Sequence, residues 1–478
     1  MELVRSGELW LKVWVRAKEQ PAGWVKEEFR QSTLKDPRQI RRLEKIAADF
    51  MKEPQGSINA ASGDWAASKA AYRIFASEIE ADAVLSGHRQ KTIERMGERA
   101  VVLAVQDTTA LNFTTQRAKQ GLGSIGTRQG GARGFFCHAT LAVDAEGCAL
   151  GVLDVQSYPR AAERVKRQRT GQARERESVR WLNSLASCQR AAERCGAATQ
   201  IISVADREAD FYDLFAYAAE EAPAVAVLVR AQHDRELEEG RLFAQVRAQP
   251  LLGTLPVEVP CSGESPRRLA HLEIRTRAVR LRAPSHWRQS AQWPVLELQV
   301  VEAWEPAPPP GEAPICWRLL TTLPMPELTA AVTVLGYYTL RWKIEVWHKI
   351  LKSGCRIEAR QLESFERLER VLRVDAIIAW RVLYLMTQGR AHPQLSCTVA
   401  LEDYQWKALY AFMKKAPPPP SDQPPSLGQA LLWVARLGGF LARKNDGHPG
   451  PQVLWRGLAK LDTLAQAWLA FSSPPTCG

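Results

Sequence analysis

Several features that would assign this chain to a common functional class are missing. Its nine cysteines form no Cys-x-x-Cys pair and no Cys/His cluster, which argues against a disulfide framework and against a zinc site. The most apolar stretch, residues 371–386, is interrupted by Arg373, Asp375 and Arg381 and therefore predicts a buried helix. We find no signal peptide and no internal repeats. These absences predict a reduced, cytoplasmic protein with no membrane role.

Positive charge is in excess. The 478 residues leave room for two or three domains or for one large core with insertions. The 64 basic and 52 acidic residues give a net charge of +12. Such an excess favours polyanions through long-range attraction and counterion release. Nucleic acid is therefore the leading class of partner, and a solvated basic surface that binds nothing specific is the alternative.

The first hundred residues are predicted to be helical. Asp36 followed by Pro37 is typical of a helix N-cap with proline at the first helical position. One side of this helix is apolar, at Ile40, Leu43, Ala47 and Phe50. The wetter side is basic, at Arg38, Arg41, Arg42, Lys45 and Lys52. A basic amphipathic helix fits a DNA groove, and it equally fits a solvated face.

The middle of the chain alternates strands and helices in a recognisable order. Strands are predicted at 101–106, 135–143, 149–158, 200–205 and 224–229, the second and third joined by a turn at 144–147. A charged helix, roughly 174–195, precedes the fourth strand, and a helix at 210–221 follows it. Three strands, helix, strand, helix, strand is the order of a ribonuclease-H-like core, so we predict an α/β fold of that class.

The last helix expected in such a core does not follow directly. About ninety residues of β-like sequence, at about 235–325, come first, and we interpret them as an inserted β subdomain. Its segment 271–282 alternates apolar with basic residues, and residues 306–314 form a proline-rich turn. One long helix is then predicted at 327–352, followed by helices rich in Leu, Ala and Trp. A proline-rich linker or loop at 414–426 precedes the last helical unit.

The helix at 327–352 has a distinctive polar face. At about 100° per residue, Tyr338, Arg341, Glu345 and Lys352 share one narrow face, and the apolar residues lie opposite, where they can pack against a sheet. A site mounted on a rigid element needs such a face. A solvated face with an Arg341 to Glu345 helical ion pair is the alternative.

Two predicted strand-end aspartates, Asp107 and Asp206, join Glu345 as candidates for catalysis. Phosphodiester cleavage without a protein nucleophile can use two divalent ions about 4 Å apart. Three convergent carboxylates suit that task, because Mg²⁺ prefers hard oxygen ligands. Each aspartate alone is a weak signal, since Asp after a strand is more often a turn residue or a helix cap.

Two segments carry a family resemblance. VADREAD (204–210) and YTLRWKIEVWHKILKSG (338–354) resemble the signatures of the bacterial IS-four family of insertion-sequence transposases, and the second contains Y-x2-R-x3-E-x6-K with its spacing intact. Similarity also extends to DPRQIRRLEKIA, AYRIF, VQDTTALNF, CWRLLTT and ARLGGF, so that it spans residues 30–460.

The resemblance implies roles for matching residues. Asp107, Asp206 and Glu345 would form the metal-binding triad, with two Mg²⁺ ions that Mn²⁺ can replace. Phosphates at the transposon end would be contacted by Tyr338, Arg341 and Lys352. A base flipped out of the duplex would stack on Trp317, for which a core tryptophan is the alternative. DNA contacts are also implied for Arg230 and Arg207, with structural ion pairing as the alternative. Asp210 is expected to cap the helix that follows it.

The resemblance also implies partners. The N-terminal helices would recognise the terminal inverted repeat, with Arg38, Arg41, Arg42 and Arg73 as candidates. The protein would act as a homodimer in a synaptic complex, held by its C-terminal helices, each subunit cutting the end bound mainly by the other. ARLGGF (435–440) would lie at that interface, although Gly438 and Gly439 alone predict only a helix break or close packing.

Residues and resemblance together predict a cut-and-paste DDE transposase that cuts transposon ends and joins 3′ ends to target DNA at the bacterial nucleoid. The resemblance also implies a hairpin intermediate between these two steps. The predicted domains are a helical DNA-binding domain (1–95), a ribonuclease-H-like catalytic domain (96–370) and a helical dimerisation domain (371–478). Two alternatives stay open: a nuclease on the same core that never joins ends, and a catalytically silent DNA-binding regulator derived from a transposase.

Overall fold

The computed structural model describes residues 23–126, 131–160, 178–259, 267–284, 295–444 and 446–472. The start of the predicted charged helix, residues 174–177, lies outside these ranges, as do the first 22 residues of the predicted helical region.

Five helices form the N-terminal module: α1 (Gly23–Phe29), α2 (Pro37–Lys52), α3 (Ile58–Ser62), α4 (Trp65–Ala76) and α5 (Ala81–Gly97). The predicted start of α2 is confirmed, because the Asp36 carboxylate accepts a hydrogen bond from the Arg38 backbone N–H at 2.8 Å. The predicted apolar stripe is also confirmed, since Leu43, Ala47 and Phe50 are buried in the core.

The central sheet begins with six strands: β1 (Val101–Asn112), β2 (Gly123–Ser124), β3 (Arg133–Asp144), β4 (Ala149–Tyr158), β5 (Gln200–Ala205) and β6 (Val225–Arg230). Helix α6 (Val179–Cys195) precedes β5, and α7 (Tyr212–Glu220) precedes β6. The order across the sheet is β4, β3, β1, β5, β6. Strands β1, β3 and β4 pair antiparallel, whereas β1, β5 and β6 pair parallel. The predicted ribonuclease-H-like core is therefore present.

The β-like sequence after β6 also forms strands. Its elements are β7 (Glu236–Leu237), β8 (Gly240–Arg241), α8 (Leu242–Arg247), β9 (Gly253–Val259), β10 (Arg268–Arg282), β11 (Val295–Trp304) and β12 (Cys316–Thr321). Strand β12 pairs antiparallel with β6, with Leu319 opposite Arg230. Through this pairing the added strands continue the core sheet, which then contains 12 strands.

The prediction of a single long helix at 327–352 is wrong. The structure has α9 (Leu328–Thr339), α10 (Trp342–Lys349) and then a π-helical turn at Ile350–Gly354, called the 350–354 turn below. Between α9 and α10 the backbone bonds span three residues, from Leu340 N to Tyr337 O and from Arg341 N to Tyr338 O. The Thr339 hydroxyl donates to the Gly336 carbonyl oxygen at 2.6 Å, and such local side-chain bonds compete with the helical ladder.

The C-terminal helices are α11 (Phe365–Ala391), α12 (Asp403–Lys414), α13 (Leu427–Leu437) and α14 (Pro451–Ser472). Helix α11 contains the apolar stretch predicted to be a buried helix, and Asp375 within it is fully buried and paired with Arg360. No helix in the described ranges is both long and apolar enough to span a membrane.

Helices α13 and α14 pack with their backbones in close approach. A Cβ atom on Gly438 would lie 1.8 Å from the Val453 carbonyl oxygen, and one on Gly457 would lie 1.9 Å from the Val434 carbonyl oxygen. Gly438 also ends α13, and Gly439 follows with φ of 98°. Both expectations for this glycine pair, a helix break and close packing, are confirmed.

The sheet separates two groups of buried side chains. Leu103 and Val105 of β1 belong to the group that includes α10 and α11, and Val102 and Ala104 belong to the group that includes α6 and α7. Because side chains alternate along a strand, Asp107 lies on the same face as Leu103 and Val105. That face is covered by the helices that follow β12.

Candidate active site

Two carboxylates meet at one level of the central sheet. Val105 of β1 is paired in parallel with Val204 of β5. Asp107 and Asp206 each lie two residues further along, so alternation places both side chains on the same face and at the same level. Asp206 directly follows β5, and its carboxylate accepts from the Glu208 backbone N–H at 2.9 Å.

Asp107 was predicted to lie at the end of its strand, and this prediction is wrong. Strand β1 continues to Asn112 because β3 keeps pairing with it, with Ala139 opposite Asp107. The parallel pairing with β5, however, ends at Val105. Asp107 therefore lies just beyond the point where the pairing of β1 with β5 ends.

The third candidate, Glu345, lies on α10. Ile344 and Trp347 of this helix are buried, as the polar-face prediction requires. The next polar residue on the helix, His348, has its Nδ1 3.7 Å from Asp107 Oδ2. Helix α10 thus packs over β1 and brings Glu345 to the side of Asp107.

The electrostatics of Asp107 reflect these neighbours. Burial first, and then the negative charges of Asp206 and Glu345, raise the pKa of Asp107 to about 7, while Arg341 and the Thr108 backbone N–H lower it. Asp206 and Glu345 therefore each repel a negative charge on the partly desolvated Asp107. A bound cation would offset that repulsion.

The donor set fits a hard divalent cation. In the part of the chain that the structure describes, no three His, Cys, Asp or Glu side chains converge as a finished metal cage. Arg341 Nη2 instead donates to Glu345 Oε1 at 2.6 Å. Mg²⁺ does not need an all-protein cage, because it keeps several waters and is held by one or two carboxylates together with substrate phosphates. Asp107, Asp206 and Glu345 supply the oxygen donors for such a site.

The predicted polar face is largely assembled, despite the break between α9 and α10. Tyr338 is buried, and burial raises its pKa, whereas the hydrogen-bonded Arg341 and the nearby Arg230 lower it. The Trp317 ring lies edge-on against Tyr338, with ring centroids 5.3 Å apart. Trp317 is half-buried in β12, opposite Ala303 of β11. The structure thus places Trp317 against Tyr338, and Tyr338 against Arg341, which donates to Glu345.

Lys352 belongs to the same surroundings. It lies half-buried in the 350–354 turn. His348 has its pKa lowered to about 3, mainly by burial and further by the charges of Lys352 and Arg341. Both cations therefore lie near His348, beside Asp107.

The two other predicted arginines flank the second aspartate. Arg207 is exposed in the short 3-10 turn after Asp206, and Arg230 ends β6 with its Nη2 3.3 Å from the Cys316 carbonyl oxygen. Neither arginine forms an ion pair with another described residue. The alternative of structural ion pairing therefore finds no support within the described ranges.

The four arginines of the N-terminal module that are predicted to contact DNA are exposed. Arg38, Arg41 and Arg42 lie on α2, and Arg73 lies on α4. Arg38 Nε is 3.4 Å from Asp36 Oδ1 in a largely exposed pair. Their guanidinium groups therefore face solvent, where a DNA backbone can reach them.

Asp210 has a different role from the predicted helix cap. The N-cap of α7 is Phe211, and the buried Asp210 carboxylate accepts from the backbone N–H groups of Gln232 at 2.7 Å and His233 at 3.0 Å and pairs with Arg235. It joins the turn after Asp206 to the loop after Arg230. The only sequence signal for this role was its place in the VADREAD segment.

His348 was also missed by the sequence analysis. It is buried beside Asp107, and its Nε2 has no hydrogen-bond partner among the described residues. Its spacing of three residues from Glu345 places it on the same side of α10, and that spacing was the available signal.

Comparisons with known proteins match three consecutive parts of the chain. Residues 21–79 match the family described as transposase DNA-binding, residues 107–380 match the transposase DDE domain, and residues 377–472 match the transposase Tn5 dimerisation domain. A cryo-EM structure of the piggyBac transposase synaptic complex with hairpin DNA is 10% identical with a TM-score of 0.32. That match covers 65% of this chain and 52% of the other, about half its length.

Proposed function

The chain belongs to the family of transposases that share the DDE domain, and from that membership we propose that it cuts the ends of a mobile DNA element and joins them to a target. The observation that supports the proposal is the position of Asp107, which is close enough to Asp206, Glu345 and Arg341 for their charges to shift its pKa, while Arg341 donates to Glu345. The carboxylates suit metal binding, and the arginine suits the phosphates of DNA.

DDE transposase domains depend on divalent metal ions. We infer that Asp107, Asp206 and Glu345 hold Mg²⁺, two ions per site, with Mn²⁺ able to replace it. Bound there, the ions would supply Lewis-acid activation of the attacking oxygen and charge stabilisation at the leaving oxygen. The Arg341 guanidinium beside Glu345 orients that carboxylate, which is a role for the chain's own residues in preparing the site.

The proposed reaction is a series of phosphoryl transfers. Water attacks a phosphorus at the element end, the bond to the 3′ oxygen breaks, and a 3′ hydroxyl is released. That hydroxyl attacks the opposite strand to form a hairpin, a second water reopens the hairpin, and the 3′ hydroxyl then attacks a target phosphodiester. Each transfer exchanges one P–O bond for another, so no external energy source is required. Arg341 and Lys352 offset phosphate charge in each transfer.

Trp317 is the residue that the hairpin step depends on. The Trp317 indole would offer a stacking surface for a base turned out of the duplex, which would offset part of the unstacking cost. Its edge-on contact with Tyr338 holds the ring in position. We therefore expect Trp317→Ala to nick element ends but to form few hairpins, and equal hairpin yields in both proteins would remove this role.

The remaining DNA contacts follow from charge and exposure. Arg207 and Arg230 would contact DNA next to Asp206. The N-terminal residues Arg38, Arg41, Arg42 and Arg73 would contact the terminal inverted repeats. The C-terminal helices would join two subunits in a synaptic complex, so that a homodimer holds both ends, and an enzyme acting on chromosomal DNA would work at the nucleoid.

The test is end cleavage by purified protein on labelled DNA that carries the element's own terminal repeats. We expect cleavage in Mg²⁺, none in EDTA, and none by Asp206→Asn although that variant still binds the ends. Asp422→Asn, an exposed aspartate in the proline-rich linker, is the matched control and should cleave normally. Cleavage in EDTA or by Asp206→Asn would overturn the proposal.

A further inference from the structure

The 350–354 turn, which follows α10, departs from α-helical geometry. The Cys355 backbone N–H bonds to the Ile350 carbonyl oxygen at 2.8 Å, five residues back, and Arg356 follows with φ of 51°. A non-glycine residue in the left-handed region is strained and persists only where its surroundings hold it. The turn therefore depends on what packs against it.

Lys352 takes its position from this turn. Its side chain forms no ion pair with another described residue, so no salt bridge holds the amine in place independently of the turn. Any displacement of the turn would move the amine relative to Asp107 and Glu345. A misplacement of about 1 Å at a catalytic group can cost a hundred-fold in rate.

The N-terminal module touches this turn. Gln55, in the connection between α2 and α3, donates from Nε2 to the Ser353 carbonyl oxygen at 3.0 Å. Its neighbour Gly56 accepts at 3.0 Å from Nη1 of the buried Arg360, whose guanidinium also lies 4.1 Å from the centre of the Phe50 ring. The segment bearing Gln55 and Gly56 is thus attached to the chain on both sides of Arg356.

The C-terminal helices touch the turn from another direction. The ring of Trp455 in α14 packs on Gly354, where a Cβ atom would meet Trp455 Cε3 at 3.0 Å and Ile350 Cγ2 at 3.1 Å. Trp455 is buried, and its Nε1 finds no hydrogen-bond partner among the described residues. Its contact with Gly354 is therefore one of close packing, which one methyl group would disturb.

We propose that Gln55 and Trp455 are positioning residues that set Lys352 through the 350–354 turn, so that catalysis depends on the placement of both flanking modules. The N-terminal module would then change the position of the Lys352 amine when it binds the terminal repeat. The C-terminal helices would do so when they pair two subunits, and this amine is the one that contacts the cleaved strand. This inference rests on the proposed function, because it takes Lys352 to contact DNA phosphate.

The test is a double-mutant cycle on the full-length protein, measured as the end-cleavage rate at saturating DNA. Gly354→Ala inserts a methyl group between the turn and Trp455, and Gly336→Ala in α9 is the matched control because a Cβ there meets nothing within 4 Å. We expect Gly354→Ala to slow cleavage roughly ten-fold with unchanged end binding, and Gly336→Ala to change neither. In a Lys352→Ala background, Gly354→Ala should have almost no further effect.

A second pair of variants tests the other side of the turn. Gln55→Ala should slow cleavage about three-fold without weakening end binding. Gln31→Ala, which removes a hydrogen bond to Glu94 on the same module, should leave cleavage unchanged. Equal losses from both glutamine variants would indicate a general loss of module stability and would overturn the role of Gln55.

The outcomes separate this inference from the proposed function. Lys352→Ala cleaving at the wild-type rate would remove Lys352 from the proposed function itself. If Lys352→Ala is slow and Gly354→Ala slows it by the same further factor, the glycine acts through stability, and only the positioning inference fails. Wild-type cleavage by Gly354→Ala would overturn it as well.

Discussion

Asp107→Asn should stabilise the metal-free protein while abolishing its activity. The pKa of Asp107 is raised from its ordinary value of 3.8 to about 7, first by burial and then by Asp206 and Glu345. Between these two pH values the folded state holds a proton that the unfolded state has lost, so stability falls as pH rises through that window and levels off above it. At about 1.4 kcal/mol per pH unit, the full loss is about 4 kcal/mol.

The measured effect should be smaller than that ceiling. The Asp107 side chain is 19% exposed, and solvent screening reduces the expected gain from asparagine to about 2 kcal/mol at pH 8. Asparagine keeps the volume of the side chain but carries no charge, so it removes the repulsion without leaving a cavity. For a chain of 478 residues, a gain of this size corresponds to a rise of about 2 °C in Tm.

Thermal melts in EDTA at pH 5 and pH 8 provide the assay. We expect the rise in Tm for Asp107→Asn to be less than half as large at pH 5, because most of the pH-dependent loss has not yet occurred there. Added Mg²⁺ should narrow the difference at pH 8, since a ligand that binds the folded wild type stabilises it. A lower Tm for the variant at pH 8, or an equal rise at both pH values, would refute the reasoning.

Three further predictions concern packing, burial and DNA. Gly438→Ala should lower Tm by the equivalent of about 1–3 kcal/mol, because its Cβ would overlap the Val453 carbonyl oxygen; Gly450→Ala, where a Cβ has open space, is the control, and equal melts would contradict the packing. Asp375→Ala leaves the buried Arg360 without its partner and should cost about 3–5 kcal/mol in urea denaturation, whereas an unchanged midpoint would contradict the buried pair. Replacing Arg73 by glutamine should reduce the slope of log K against log[salt] for end binding by about 1, and an unchanged slope would favour a solvated face.

Apolar runs, turn residues and helical periodicity predicted much of the fold and part of the candidate site. The strand and helix order at 101–230 follows from apolar runs and turn residues, and it matches the structure closely. Helical periodicity placed Tyr338, Arg341 and Glu345 on one face, and the structure shows contacts between Tyr338 and Arg341 and between Arg341 and Glu345. These features depend on neighbours within a few residues, which a sequence displays directly.

Features set by partners distant along the chain were not predictable in the same way. Strand β1 runs past Asp107 because β3 continues beside it, and β12 joins the core sheet through β6. Asp210 carries no local sign that its partners lie more than twenty residues away, at Gln232 and Arg235. The break between α9 and α10 depends on backbone hydrogen bonds that span three residues. The amino-acid sequence around Leu340 contains no proline or other residue that would have predicted them.

The central claim is that this chain joins DNA ends at a site containing Glu345. The most direct measurement is strand transfer by purified protein, with labelled DNA bearing the element's own ends, a target DNA and Mg²⁺, comparing wild type with Glu345→Gln and with Glu78→Gln at an exposed position. We expect end joining by the wild type and by Glu78→Gln, and none by Glu345→Gln or in EDTA. End joining by Glu345→Gln, or end binding without cleavage or joining by the wild type, would contradict the account.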